Sequence, residues 1–175
     1  MGLDIRAVSG LKLIKAYDIA KDIDDFYELA YGRFRRIFLK EEPGFNRGDG
    51  LVDGVYDYVD NFNFRAGSYG GYSNWRNQLS LLALSVPAKA VWDDPKKFAG
   101  QPLVELIDFS DCEGFIGPRT SAKLALDFRS LWVSIASRVN NILRTDGEGK
   151  YFMARYDDWT QAFELAADNG AVHFG

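Results

Sequence analysis

Residues 105–128 read ELIDFSDCEGFIGPRTSAKLALDF, and the fold class turns on how they divide. The apolar run 103–109 reads as a strand. A polar bend follows over 110–117. An amphipathic helix then begins near Pro118, a residue suited to a first helical turn because its missing N–H would have no partner there. Strand, bend and helix in one short stretch point to an α+β domain. The bend also holds the one cysteine of the chain, Cys112, between Asp111 and Glu113. It is a candidate wall of a site.

Working back from this stretch, residues 86–100 read as a loop, punctuated by Pro87, Pro95 and Gly100, with Trp92 pinning it to the body. A helix is expected over 73–84, capped by Ser73, with Trp75, Leu79 and Leu82 as its apolar stripe. Segments 55–59 and 61–65 read as strands around Asp60, with Phe62 and Phe64 on one face. Residues 41–54 are loop by composition, and 33–39 suit a strand. Residues 18–31 read as a helix, with Ile19, Ile23, Phe26, Tyr27 and Ala30 at helical spacing and Asp22, Asp24, Asp25 and Glu28 on a solvated face. Segments 3–8 and 11–16 alternate around Ser9-Gly10 and read as an opening hairpin.

Working forward, the helix from Pro118 carries Ala122, Leu124, Ala125 and Phe128 and reaches Arg138. Residues 145–150 read as a turn. A last helix spans 151–168 on Phe152, Tyr156, Trp159 and Phe163. Asn169-Gly170 ends it, and 171–174, with His173, form a short strand. The expectation is a single α+β domain over 1–175, an antiparallel or mixed sheet with about three helices packed on it.

Composition narrows the function classes. A net charge of −4 argues against non-specific nucleic-acid binding, which needs a basic face to neutralise phosphates. One histidine and one cysteine cannot make a Cys/His zinc site. A carboxylate site for Mg²⁺ or Ca²⁺ stays open, although Asp49, Asp53, Asp57 and Asp60 lack calcium-loop spacing. No apolar run approaches the roughly 18 residues of a membrane span. The opening MGLDIRAVSG shows no signal-peptide pattern, and Arg6 stands where a myristoylation motif wants Ser or Thr. No cofactor is indicated.

Two stretches concentrate chemistry. The first is 65–76, RAGSYGGYSNWR. It places Arg65, Ser68, Tyr69, Tyr72, Trp75 and Arg76 ahead of and within a helix N-terminus, where free amides, guanidinium groups and rings suit an anionic or planar ligand. The second is Asp108, Asp111 and Glu113, which can hold those arginines in place, meet ligand donors or bind a divalent cation. A hydrolase is the alternative. Ala66-x-Ser68-x-Gly70 is one residue off the nucleophile elbow, and the order Ser68, Asp108 or Asp111, His173 is that of the α/β-hydrolases. A Cys112–His173 pair is the other nucleophilic option, although Asp111 and Glu113 beside the cysteine disfavour a thiolate.

The segments MGLDI (1–5), FRAGSYGGYSNWR (64–76), ELIDFSDCEGFIGPRTSAKLALDF (105–128) and FELAADNGAVHF (163–174) together resemble a family of uncharacterised proteins of bacteriophages and bacterial genomes. That family has no assigned activity or catalytic residues. The resemblance implies a phage or mobile-element origin and the cytoplasm of a bacterial host as the setting. The expected function is that of a binding protein without catalysis. Its partner is a small anionic ligand or a host protein, as in a counter-defence role. The small hydrolase and the carboxylate–metal enzyme are the alternatives.

Overall fold

Strand β1 (Gly2–Ser9) lies inside a four-stranded antiparallel sheet, in the order β5-β1-β7-β6. Its neighbours are β5 (Asp60–Ser68) and β7 (Ala171–Phe174), and β6 (Gly114–Ile116) pairs beyond β7. The computed structural model describes residues 2–18, 21–31, 34–143 and 145–175. Alternation along β1 buries Leu3, Ile5 and Ala7 against the main core, while Asp4 and Arg6 take the other face.

Three helices cover that buried face: α2 (Tyr69–Leu84), α5 (Pro118–Ile142) and α6 (Asp146–Ala166). Tyr72, Trp75, Leu79 and Leu82 of α2 meet Phe128 of α5 and Phe152, Tyr156, Trp159 and Phe163 of α6 in one cluster. A second antiparallel sheet, in the order β2-β4-β3, is built from β2 (Lys12–Ala16), β3 (Arg36–Leu39) and β4 (Gly54–Asp57). It packs on the opposite face of the first, with Ile37, Leu39 and Tyr56 against Val8, Phe115 and Ala171. Helix α1 (Ile23–Tyr31) closes the stack, setting Phe26 and Ala30 on Phe38 and Val55. Two short helices, α3 (Ala88–Asp93) and α4 (Val104–Ile107), complete the chain. The α+β class stands; the described residues form two antiparallel sheets in place of one and six helices, three of them on the buried face of the four-stranded sheet.

Several local expectations are corrected. Strands β1 and β2 do not form a hairpin. Gly10 turns the chain at φ 63°, and the amides of Gly10 and Leu11 donate to the carbonyls of Asp168 and Asn169. The turn is therefore tied to the end of α6, and β2 goes to the other sheet. Residues 103–109 are not a strand. Leu103 sits at φ 62° and α4 follows it. An apolar run buried all round has no period that separates strand from helix. The strand of this region is β6, within the expected bend. The segment 145–150 is not a turn but the start of α6. The Thr145 hydroxyl accepts from the Glu148 amide and the Glu148 carboxylate accepts from the Thr145 amide, a full capping box. The region 86–100 contains α3 and a 3-10 turn, Pro95–Phe98. Helix α2 begins four residues earlier than expected because Ser68, not Ser73, caps it, its hydroxyl accepting from Gly71 N–H at 3.0 Å. Helix α5 runs on to Ile142. The expected helix 18–31 begins at Ile23; Ile19 lies outside the described residues, as does Arg33 of the expected strand 33–39.

Candidate functional site

The stretches 65–76 and 108–113 meet in space through Ser73, Arg76 and Asp111. Arg76 extends from the buried face of α2 to the chain that follows α4. Its Nη1 donates to the carbonyls of Phe109 and, at 3.4 Å, Ile107. Its Nη2 donates to Ser73 Oγ at 3.3 Å and stands 3.8 Å from Asp111 Oδ2. The guanidinium lies over the rings of Tyr72 and Trp92, at 4.6 and 5.2 Å. Only 6% of the side chain is exposed, so these contacts use most of what the cation can offer. Asp108 pairs with Arg47 at 3.4 Å, and burial raises its carboxyl above the usual range against the pull of Arg47 and Arg76. Ser73, Arg76, Asp108, Phe109 and Asp111, with Phe45 and Trp92, line an open cleft of about 490 Å³.

The other expected site residues are dispersed. Tyr72 and Trp75 are core, ring to ring with each other and with Trp159. Burial holds the Tyr72 phenol well above its usual range. Arg65 stands on β5 opposite Asp4, its guanidinium against Gly2 and its carbonyl accepting from Arg155. Ser68 pairs with Gly2 and His173 with Arg6, on opposite sides of β1. Four residues and two strand spacings put their backbones roughly 16 Å apart, beyond hydrogen-bond reach. Asp108, Asp111 and Glu113 do not converge. Among the described residues no group of three or more His, Cys, Asp and Glu is placed to hold a metal ion.

A second concavity lies on the polar face of the four-stranded sheet. Register across β5, β1, β7 and β6 sets Asn63, Arg6, His173 and Phe115 in one row. The next row along holds Arg65 and Asp4. The three-stranded sheet covers one end of this face through Phe115, Val8 and Ala171. The rest stays open beneath Tyr31 of α1. Two adjoining clefts result. One, of about 430 Å³, is lined by Asp4, Arg6, Tyr31, Asn63 and His173. The other, of about 590 Å³, is lined by Tyr27, Tyr31, Tyr69, Glu42, Cys112, Glu113 and His173. Tyr31 and His173 belong to both.

Electrostatics differ along this groove. Burial pushes the His173 imidazole down to about 4, and the Arg6 guanidinium beside it opposes a second positive charge. The ring is neutral at pH 7. Arg6 itself has no hydrogen-bond or ion-pair acceptor among the described residues. Tyr27 and Tyr31 stack as an i, i+4 pair, 5.9 Å between centroids. Of the expected residues, Tyr69, Glu113, Cys112 and His173 line the groove. Arg6, Asn63, Tyr27, Tyr31 and Glu42 were not singled out by the sequence. The available signal was the alternation of 3–8, which already assigns Asp4 and Arg6 to the polar face.

Comparison with family models, with curated proteins and with solved structures gives no match.

Proposed function

We propose that this chain is a binding protein without catalysis, and that its ligand is a small molecule with a planar part and an anionic group, held in the groove between α1 and the polar sheet face. The observation that carries the reading is Arg6. It is a partly buried cation at the floor of a cleft, on rigid β-structure, with no acceptor of its own among the described residues. Arg76 already has acceptors for both its Nη atoms, and its Nε is buried. A carboxylate or phosphate at Arg6 would complete the guanidinium and also meet the Asn63 amide and an imidazole N–H of His173. Tyr31 above supplies a ring for the planar part.

Phenyl phosphate, which joins a ring to an anion, is the probe. Calorimetric titration is expected to show binding that Arg6→Ala weakens about 10- to 100-fold, the usual worth of a charge-assisted hydrogen bond. Equal affinity in the two proteins would remove the reading. Native mass spectrometry of protein drawn from a bacterial lysate gives the natural ligand's mass. An intact protein carried along instead would make the groove an interface with a host partner.

The second reading is a nucleophile pair, favoured by Cys112 and His173 lining the same cleft. A neutral imidazole is the state a general base needs. It predicts that Cys112→Ala abolishes the biological effect. The binding reading predicts that Cys112→Ala changes nothing.

A further inference from the structure

The two ends of the groove differ in what they offer a ligand. The end at Arg6 is cationic. The wider end, away from Arg6, brings together three tyrosines, Tyr27, Tyr31 and Tyr69, with the carboxylates of Glu42 and Glu113. Neither of those carboxylates has a hydrogen-bond or ion-pair partner among the described residues. Glu41, which also borders this end, accepts from Gly48 N–H at 2.7 Å. Lys40, the cation in the lining, lies over the ring of Tyr17, 5.4 Å from its centre. Glu113 is close enough to Tyr27 to help keep its phenol protonated, after burial and the neighbouring Tyr31 phenol.

We propose that the wide end of the groove receives an organic cation, an ammonium or quaternary ammonium group, held by the faces of Tyr31 and Tyr69 and by the charges of Glu42 and Glu113. The ligand is then a zwitterion, its anionic group on Arg6 and its cationic group between the tyrosines. This rests on the reading of the groove as the binding site.

Ring faces carry negative potential and attract a large, weakly hydrated cation, and flanking carboxylates add to that attraction without needing to strip a tight water shell. A metal ion fits the same lining poorly. Ca²⁺ and Mg²⁺ want six or more oxygens at close range, and two carboxylates among phenol rings do not supply them. A ligand with an anion alone would leave Glu42 and Glu113 facing it as like charges. A zwitterion turns both ends into attraction, and it selects against simple anions by the same carboxylates.

Tetramethylammonium and inorganic phosphate, titrated separately into ¹⁵N-labelled protein, test the two ends independently. Tetramethylammonium is expected to shift the amides of Tyr31, Tyr69 and Gly114 with a saturable, millimolar affinity. The doubly substituted protein Glu42→Gln, Glu113→Gln is expected to weaken it about three- to tenfold, the range of an exposed cation–π site with charge support, and Tyr31→Leu to weaken it similarly. Arg6→Ala is expected to leave tetramethylammonium within twofold while removing the phosphate-induced shifts at Arg6 and His173. Both glutamine changes lie at the surface, and a thermal melt confirms that the variant folds. Phosphate binding at Arg6 without any saturable tetramethylammonium shift, or with a shift indifferent to the glutamates, would overturn the zwitterion and leave the groove reading intact. Loss of both probes would overturn the groove reading itself.

Discussion

Arg6 and Arg76 carry the same charge and do opposite work. Arg76 is 5% exposed and ties α2 to the chain after α4 through two carbonyls, a hydroxyl and a carboxylate. Its truncation would orphan the carbonyl of Phe109, leave that of Ile107 to the Trp92 indole N–H at 2.7 Å, and open the Tyr72–Trp92 sandwich. Arg76→Ala is expected to cost about 2–4 kcal/mol, read by urea denaturation, with phenyl phosphate binding retained by the folded fraction. Arg6→Ala is expected to lose the ligand with stability within about 1 kcal/mol. Tyr72 gives a second contrast at this scale. Its ring is fully buried and its hydroxyl has no hydrogen-bond partner among the described residues. Tyr72→Phe is therefore expected to leave stability unchanged or raise it by about 1 kcal/mol, whereas Tyr72→Ala should cost about 3–5 kcal/mol. A drop in melting temperature for the phenylalanine variant would show that the hydroxyl has a partner.

At the scale of elements, helix α2 shows how one hydroxyl can be misread. Ser68 has the sequence context of a nucleophile, strand before and helix after. In the fold its oxygen caps the helix at Gly71. Ser68→Ala and Thr145→Ala are each expected to cost about 1 kcal/mol, measured by thermal denaturation, with no effect on ligand affinity. Elements with a strong local period were legible from the chain. The stripe Trp75, Leu79, Leu82, the run Phe152 to Phe163 and the short strand 171–174 all stand where the sequence put them. The start of α6 was misread as a turn, although Thr145-x-x-Glu148, a capping-box signature, stands there in the chain. The α4 segment was not legible, because burial on every side erases the difference between periods of 2 and 3.6. The β1–β2 hairpin failed for another reason. Alternation says which face a side chain takes and nothing of which strand lies beside it. The groove was hidden by that same limit, since Asn63, Arg6 and His173 become neighbours only through the register of three strands distant in sequence.

At the scale of the whole molecule, His173 links the floor of the groove to stability. Its folded pKa, about 4, lies below its unfolded value near 6.5. The unfolded chain therefore binds the extra proton first, so stability is fully present above pH 6.5 and falls as the pH drops toward 4. The loss is expected to be about 1–3 kcal/mol, discounted for the partial exposure of the ring. The raised carboxyls of Asp108 and Asp158 act in the opposite sense, since each favours its protonated form in the fold. His173→Gln separates the contributions. Its denaturation midpoint is expected to be flatter than that of the parent between pH 6.5 and 4. Parallel curves would place the titrating group elsewhere.

Strand β7 lies between β1 and β6 and follows every other element along the chain. A growing polypeptide makes β1 and β5 long before β7, so until residues 171–174 clear the ribosome β1 has β5 on one side and lacks its β7 partner on the other. The central sheet, and with it the floor that carries His173, is completed after synthesis of all that precedes it. Such long-range closure is slow compared with helix formation, and the open side of β1 is meanwhile a bare edge inviting wrong partners. Yield in a host is therefore expected to depend on chaperone supply and growth temperature more than the stability of the finished protein suggests.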